Sequence, residues 1–310
     1  MKKRIVVVAL GGNALVKKGE QITIANQMKN VSEAMRHLIG ILKDYNVIIS
    51  HGNGIQVGEI LIRVEEALGK AYTLPLEVCV AESEGELGYL IEHALHNVLL
   101  ENHVHKPVIS LLTEVIVDKN DPAFKHPTKP IGPWYNKEQA EKMQENGFNM
   151  VYEVKRGYRR VVASPTPKKV ENSGIIKKLV RDAIVIAVGG GGIPVIKEGN
   201  RMKGVSAVID KDLASACLAK DIKADLLLIL TGVKNVYLNY GTNKEQPLSK
   251  LTIKQAQQYL KEGHFPEGSM GPKIQAAINF LKHGGKKVII TSPSCVEKAL
   301  RGKEGTTIIS

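Results

Sequence analysis

Ile5 to Leu10 (IVVVAL) is a continuous, largely β-branched apolar run. Such a run predicts a parallel strand covered on both faces. Gly11-Gly12-Asn13 ends it. Ile24, Met28, Val31, Met35, Leu38 and Leu42 then recur at three- and four-residue steps, one face of a helix. Val47-Ile48-Ile49 predicts a second strand, ending at His51-Gly52-Asn53-Gly54. Leu87, Leu90, Ile91, Ala94, Leu95, Val98 and Leu99 mark the buried side of another helix, and Pro107 opens a strand over Val108 to Leu112. This strand–loop–helix–strand grammar is that of an α/β fold.

The grammar lapses between Asp118 and Pro167. Pro122, Pro127, Pro130 and Pro133 are expected to break any regular element there, so the stretch reads as an excursion from the main sheet, a protruding subdomain or lid with a short helix near Lys137 to Asn146. Strands resume at Ile184 to Val188, Leu226 to Leu230 and Val288 to Thr291, and Thr307 to Ile309 is expected to close an edge of the sheet. Helices are predicted over 211–220, 252–262 and 272–283.

Composition narrows the class. With 310 residues and 43% hydrophobic content, the chain can bury a sizeable core. No run of 18 apolar residues occurs, so no membrane span is expected. Cys79, Cys217 and Cys295 are far apart and form no CxxC pair. That argues against disulfides and structural zinc and for a cytoplasmic location. His93 and His96 lack a third ligand, and no HExxH occurs. The net charge of +12 fits nucleic acid, an anionic small molecule or a solvated lysine-rich surface. Aromatics at 5% and the absence of any zinc-finger, RNP or homeodomain pattern argue against nucleic acid.

The 29 glycines slightly exceed the average share, and the excess clusters where four apolar strands end: ALGGN, SHGNG, AVGGGG and LTGV. Ligands of open α/β sheets sit at the carboxyl ends of strands, where glycines let backbone N–H groups approach an anion. Neither GxxxxGK(S/T) nor a GxGxxG after the first strand is present, so neither a P-loop nor the dinucleotide fingerprint applies. Lys129 lies in PTKPIGP. Lys211 lies in VIDKDLA between Asp210 and Asp212, at a helix start. Lys273 lies in GSMGPK, where Pro272 and Lys273 open another helix. Lysines held by such turns suit phosphoryl transfer, which depends on positioning and cationic stabilisation.

In VVALGGNAL (7–15), SHGNGIQVG (50–58), LGYLI (87–91), VDKNDPAF with PTKPIGP (117–133), GYRRVVASP (157–165), GGGGIPVI (189–196), KGVSAVIDKDLA (203–214), LTGV (230–233), EGHFPEGSMGPK (262–273) and GKEGT (302–306), the chain resembles the carbamate kinases of the amino acid kinase superfamily. The motifs span nearly the whole chain in the family's order. The resemblance implies a three-layer αβα sandwich on a mainly parallel sheet of about eight strands, as one domain over 1–310. An acceptor lobe would cover 1–215, with the protruding subdomain at about 118–167, and a nucleotide lobe 216–310. It implies reversible phosphoryl transfer between ATP and carbamate, giving ADP and carbamoyl phosphate and often running toward ATP, as in arginine catabolism. Mg²⁺ would arrive with the nucleotide, and the protein would be a homodimer.

By the same resemblance, Lys129, Lys211 and Lys273 contact phosphate, and Asp212 organises those lysines. Gly11, Gly12, Asn13, Gly52, Asn53 and Gly54 surround the transferred phosphoryl and carbamate, and the loop through Gly190 and Gly191 completes the acceptor side. Asp210, Lys211, Thr231, Gly232, Met270, Gly271 and Lys273 face the nucleotide. An ionised carbamate needs no general base, so His51 receives no proton-transfer role. Three positions depart from the family pattern: Ile55 replaces a proline, Glu84 replaces the glutamine of (S/T)QGxIGY, and the segment before Gly157 is shortened. Glu84 is expected to add negative charge near the acceptor. A different carboxylate acceptor, or a catalytically weak nucleotide-binding homologue, are the alternatives.

Overall fold

The computed structural model describes residues 3–17, 19–153, 156–266 and 268–310, apart from the Asn13 side chain. The first half of the chain runs β1 (Arg4–Leu10), α1 (Ile24–Leu38), β2 (Tyr45–His51), α2 (Gln56–Glu66), α3 (Leu76–Glu101) and β3 (Val108–Ser110). Next come β4 (Glu114–Val117), β5 (Lys129–Tyr135), α4 (Lys137–Glu145), β6 (Met150–Glu153), β7 (Gly157–Val162) and β8 (Pro167–Val170). They are followed by α5 (Ser173–Leu179), β9 (Ile184–Ile186), β10 (Ile193–Glu198), β11 (Arg201–Gly204), α6 (Lys211–Asp221), β12 (Leu226–Leu230), β13 (Val236–Leu238) and β14 (Gln246–Leu248). The chain ends with β15 (Lys250–Thr252), α7 (Ile253–Lys261), α8 (Met270–Lys282), β16 (Val288–Thr291), α9 (Val296–Leu300) and β17 (Thr306–Ile309).

Eight strands form one sheet in the order β15-β17-β16-β12-β1-β2-β9-β3, parallel throughout except for β16 against β17. The unbroken apolar runs are split by strand alternation between two cores. Val7, Ala9, Ile48, Leu227 and Ile229 pack against α6 and α8 on one face. Val6, Val8, Leu10, Val47 and Ile49 pack against α1 and α3 on the other. This is the three-layer αβα arrangement. β1 pairs with β2 on one side and with β12 on the other, so the strand order reverses there. The carboxyl ends of these three strands border the crevice that such a reversal opens.

The Pro-rich stretch is more regular than its prolines suggested. β5 contains Pro130 and Pro133, yet it is an edge strand of a three-stranded sheet ordered β5-β7-β6. At an edge, a missing N–H leaves no ladder bond unmade. β5 packs on α2, where Gly58 meets Gly132 so closely that a Cβ on Gly58 would overlap the Gly132 backbone. Ile131 and Val162 complete a small core with Val57, Ile60 and Val80. β17 corrects the expected edge: it lies between β16 and β15, and β15 is the edge. β15 is only three residues long and runs straight into the capping box of Thr252 and Gln255 that starts α7, so it carries little strand signal.

Candidate active site

Most of the sequence-derived residues converge at the carboxyl ends of β1, β2, β9 and β12. α6 begins there because Asp210 caps it, accepting hydrogen bonds from the N–H of Asp212 at 2.9 Å and of Leu213 at 3.4 Å. The next two residues, Lys211 and Asp212, are buried. Asp212 Oδ1 lies 2.5 Å from Lys211 Nζ, and Oδ2 lies 3.0 Å from Lys273 Nζ, on the first turn of α8. α8 begins at Met270, three residues before Lys273. Asp210 Oδ2 takes Lys129 Nζ of β5 at 2.7 Å, so the excursion is tied to the start of α6. Ser215 holds α6 against β2, bonding the Lys211 carbonyl and the Ser50 hydroxyl, each at 2.5 Å.

Burial works to raise Asp212, but the two ammonium groups overcome it and hold the carboxyl at about 2. Burial lowers Lys211, with Asp212 pulling the other way. One buried carboxylate therefore faces two ammonium groups, while Lys129 and Asp210 balance each other. The surplus positive charge suits an anion such as a phosphoryl group.

The glycine loops close around this cluster. Gly11 N–H bonds the Leu230 carbonyl at 3.0 Å, joining the ends of β1 and β12. Gly12 and Gly54 border open space. Gly52 lies over the aliphatic stem of Lys211. Asn53 is buried and donates to Ser83 Oγ at 2.7 Å. Gly190, at φ +63, abuts Asn53 so tightly that a Cβ would collide with its amide. The Asn13 side chain lies outside the described residues, as do residues 154–155 of the shortened segment.

The remaining residues sit one step away. Thr231, Gly232 and Met270 line a cavity of about 240 Å³. Its walls of Tyr237, Tyr240, Phe265 and Pro266 suit a flat heterocycle. Gly271 is buried at the start of α8, its N–H bonded to the Pro266 carbonyl at 2.9 Å. The cavity and the lysine cluster are bridged by the first turn of α8.

Burial works against the charge expected of Glu84. It is 3% exposed, and its Oε2 accepts the Thr113 N–H at 2.9 Å. Burial pushes its carboxyl well above the usual range, with the Thr113 and Gly189 N–H groups pulling back. It stands beneath the glycine loop as a buried carboxyl whose charged form is disfavoured. His51 is also buried, and burial lowers its imidazole to about 4. Ser83, Thr113 and Ser215 escaped the sequence reading. Ser83 sits beside the noted Glu84, and Ser50 opens SHGNG, but Thr113 has no local signal.

The sequence matches the amino acid kinase family over residues 4–292. It is 46% identical to a carbamate kinase of Thermococcus kodakarensis over 98% of each chain. It is 45% identical to a carbamate kinase-like protein of Escherichia coli over 99% of each. The fold superposes on carbamate kinase from Giardia lamblia bound to AMP-PNP with a TM-score of 0.92 and 41% identity, covering 99% of this chain and 98% of that one. With an eight-stranded αβα sheet, glycine loops at its strand ends and full-length relatives of this similarity, the chain belongs to the amino acid kinase family.

Proposed function

We propose that this protein is a carbamate kinase, transferring a phosphoryl group reversibly between ATP and carbamate, with ADP and carbamoyl phosphate as the other pair. One observation carries the chemistry: the buried Asp212 carboxylate shared by Lys211 and Lys273 beside the glycine loops. The two ammonium groups would stabilise charge on the phosphoryl oxygens as it moves, and Asp212 would hold them in place. Lys129 would add a third cation from the excursion. The carbamate oxygen is already an anion, so transfer needs no proton acceptor. Buried and neutral, His51 is left without that role.

In this reading, residues 216–310 hold the nucleotide, its base in the cavity lined by Tyr237, Tyr240 and Phe265, and its phosphates near Thr231, Gly232, Gly271 and Lys273. Residues 1–215 hold the acceptor between the Gly11, Gly52–Gly54 and Gly190–Gly191 loops. Mg²⁺ would travel on the nucleotide and neutralise phosphate charge. Asp210 and Asp212 are both taken up by lysines, which leaves phosphate oxygens and water as its ligands. Three free, buried cysteines fit a reducing cytoplasm, with the carbamoyl phosphate drawn from catabolism of arginine or another carbamoyl compound. Among the described residues, no helix is long and apolar enough to cross a membrane. A homodimer is supported by exposed Tyr89 and Leu112 beside the β3 edge.

The test is ATP formation from MgADP and carbamoyl phosphate, with acetyl phosphate and other acyl phosphates as competitors. Carbamoyl phosphate is expected to be the preferred donor. Preference for another acyl phosphate would move the acceptor to a different carboxylate. Tight nucleotide binding with no turnover would remove the kinase reading.

A further inference from the structure

The loop from Val188 to Gly192 is held in a conformation it would not choose alone. Val188, a β-branched residue, sits at φ +58, and Gly190, Gly191 and Gly192 follow at φ +63, +97 and +83. Such a segment persists only where its surroundings over-determine it. Thr113 supplies two of those constraints. Its hydroxyl accepts the Val188 N–H at 3.1 Å, and its carbonyl accepts the Ile193 N–H at 2.9 Å, so one residue grips both ends of the loop. Thr113 is in turn fixed by Glu84, whose Oε2 accepts its N–H at 2.9 Å. Glu84 also lies directly under the loop, where a Cβ on Gly189 would come within 3.2 Å of Glu84 Cγ. The preceding residue, Ser83, bonds the Val80 carbonyl at 2.6 Å and receives the Asn53 amide at 2.7 Å.

We propose that Ser83 and Glu84 are positioning residues for the acceptor subsite, Ser83 fixing Asn53 and Glu84 fixing the 188–193 loop through Thr113. Neither touches the reacting atoms. The inference rests on reading the Gly52–Gly54 and Gly189–Gly192 loops as the acceptor side. Both residues sit in the interior of α3, which packs against β3 and β9 and extends well beyond the site. A rigid helix therefore sets the spacing between the two loops. Among the described residues Glu84 pairs with no cation, and its Oε1 is buried without a hydrogen-bond partner. A glutamine there would keep the acceptor oxygen and the shape.

The experiment compares Glu84→Gln, Glu84→Ala and Thr113→Val. Three quantities are measured: kcat and KM for carbamoyl phosphate, MgADP affinity by calorimetry, and amide hydrogen exchange at residues 113, 188 and 193. Glu84→Ala is expected to raise KM by about tenfold or more and to speed exchange at those amides by about tenfold. MgADP affinity should stay within about threefold. Glu84→Gln should track the wild type in all three. Thr113→Val removes the hydroxyl at constant shape with Glu84 in place, so it should speed exchange at Val188 and raise KM even if Glu84→Ala folds poorly. Unchanged exchange at all three amides in Glu84→Ala would overturn the proposal and leave the carbamate kinase reading standing, as would a Glu84→Gln variant as impaired as the alanine. Faster exchange with an unchanged KM would show that the loop is clamped but is not the acceptor subsite, overturning the proposal and that loop's assignment while leaving the carbamate kinase reading to the ATP-formation assay.

Discussion

Replacing Asp212 with asparagine should cost far more stability than replacing its partner Lys211 with methionine, although both should abolish activity. Asp212 is 2% exposed, and each of its oxygens engages an ammonium group. Asparagine keeps one acceptor oxygen and turns a donor toward the other lysine, leaving the buried Lys211 and the partly buried Lys273 without a counter-charge. Breaking a buried pair this way costs about 3–5 kcal/mol. The carboxyl provides a second measure. Its fall from 3.8 to about 2 corresponds to roughly 2 kcal/mol, at about 1.4 kcal/mol per tenfold change in proton affinity. Lys211→Met removes one charge and leaves Asp212 balanced by Lys273, so its cost should be about 1 kcal/mol or less. In thermal unfolding the asparagine variant should melt about 6–10 °C lower, at roughly 2 °C per kcal/mol for a chain of this length. The sign of the pH effect is fixed as well. A depressed carboxyl contributes fully above its unfolded value and loses that contribution as pH falls from about 4 toward 2. The wild type should show this acid loss and Asp212→Asn should not. Equal melting temperatures for the two variants, or a more stable Asp212→Asn, would refute the argument.

His51 is buried and lowered from 6.5 to about 4, so the unfolded chain takes up its proton first as pH falls. Stability should drop by roughly 3 kcal/mol between those pH values, and denaturant titrations of His51→Gln should show a flatter limb. Lys129→Ala should slow ATP formation by about 10²-fold. Its stability should change by less than about 1 kcal/mol, because the pair is partly exposed and Asp210 keeps its two backbone donors. Near-normal turnover would take Lys129 out of the mechanism. Gly190→Ala combines a left-handed backbone with a collision at the Asn53 amide. It should cost about 2 kcal/mol or more and raise the KM for carbamoyl phosphate, with MgADP binding little changed.

The local pattern carried much of this protein. The runs IVVVAL, VII and LLLIL had to be covered strands, because strand alternation leaves no polar face to turn toward water. The glycines after them marked the ends where a backbone can approach an anion. The three lysines stood out by their turns and helix starts, and Asp212 by the family resemblance; in the structure Lys211 and Lys273 share Asp212, while Lys129 pairs with Asp210. What the pattern could not carry were relations between distant segments. Pro130 and Pro133 read as breakers until β5 was found at an edge, where they cost no ladder bond. Residues 307–309 read as an edge until β15 covered them. Thr113 has no sequence signal at all, since its role comes from Glu84 on one side and the 188–193 loop on the other. Glu84 is the sharpest case. Its sequence announces a negative charge, but the charge of a carboxyl depends on the dielectric around it, and only the packing of α3 beneath the glycine loop decided that burial works against that charge.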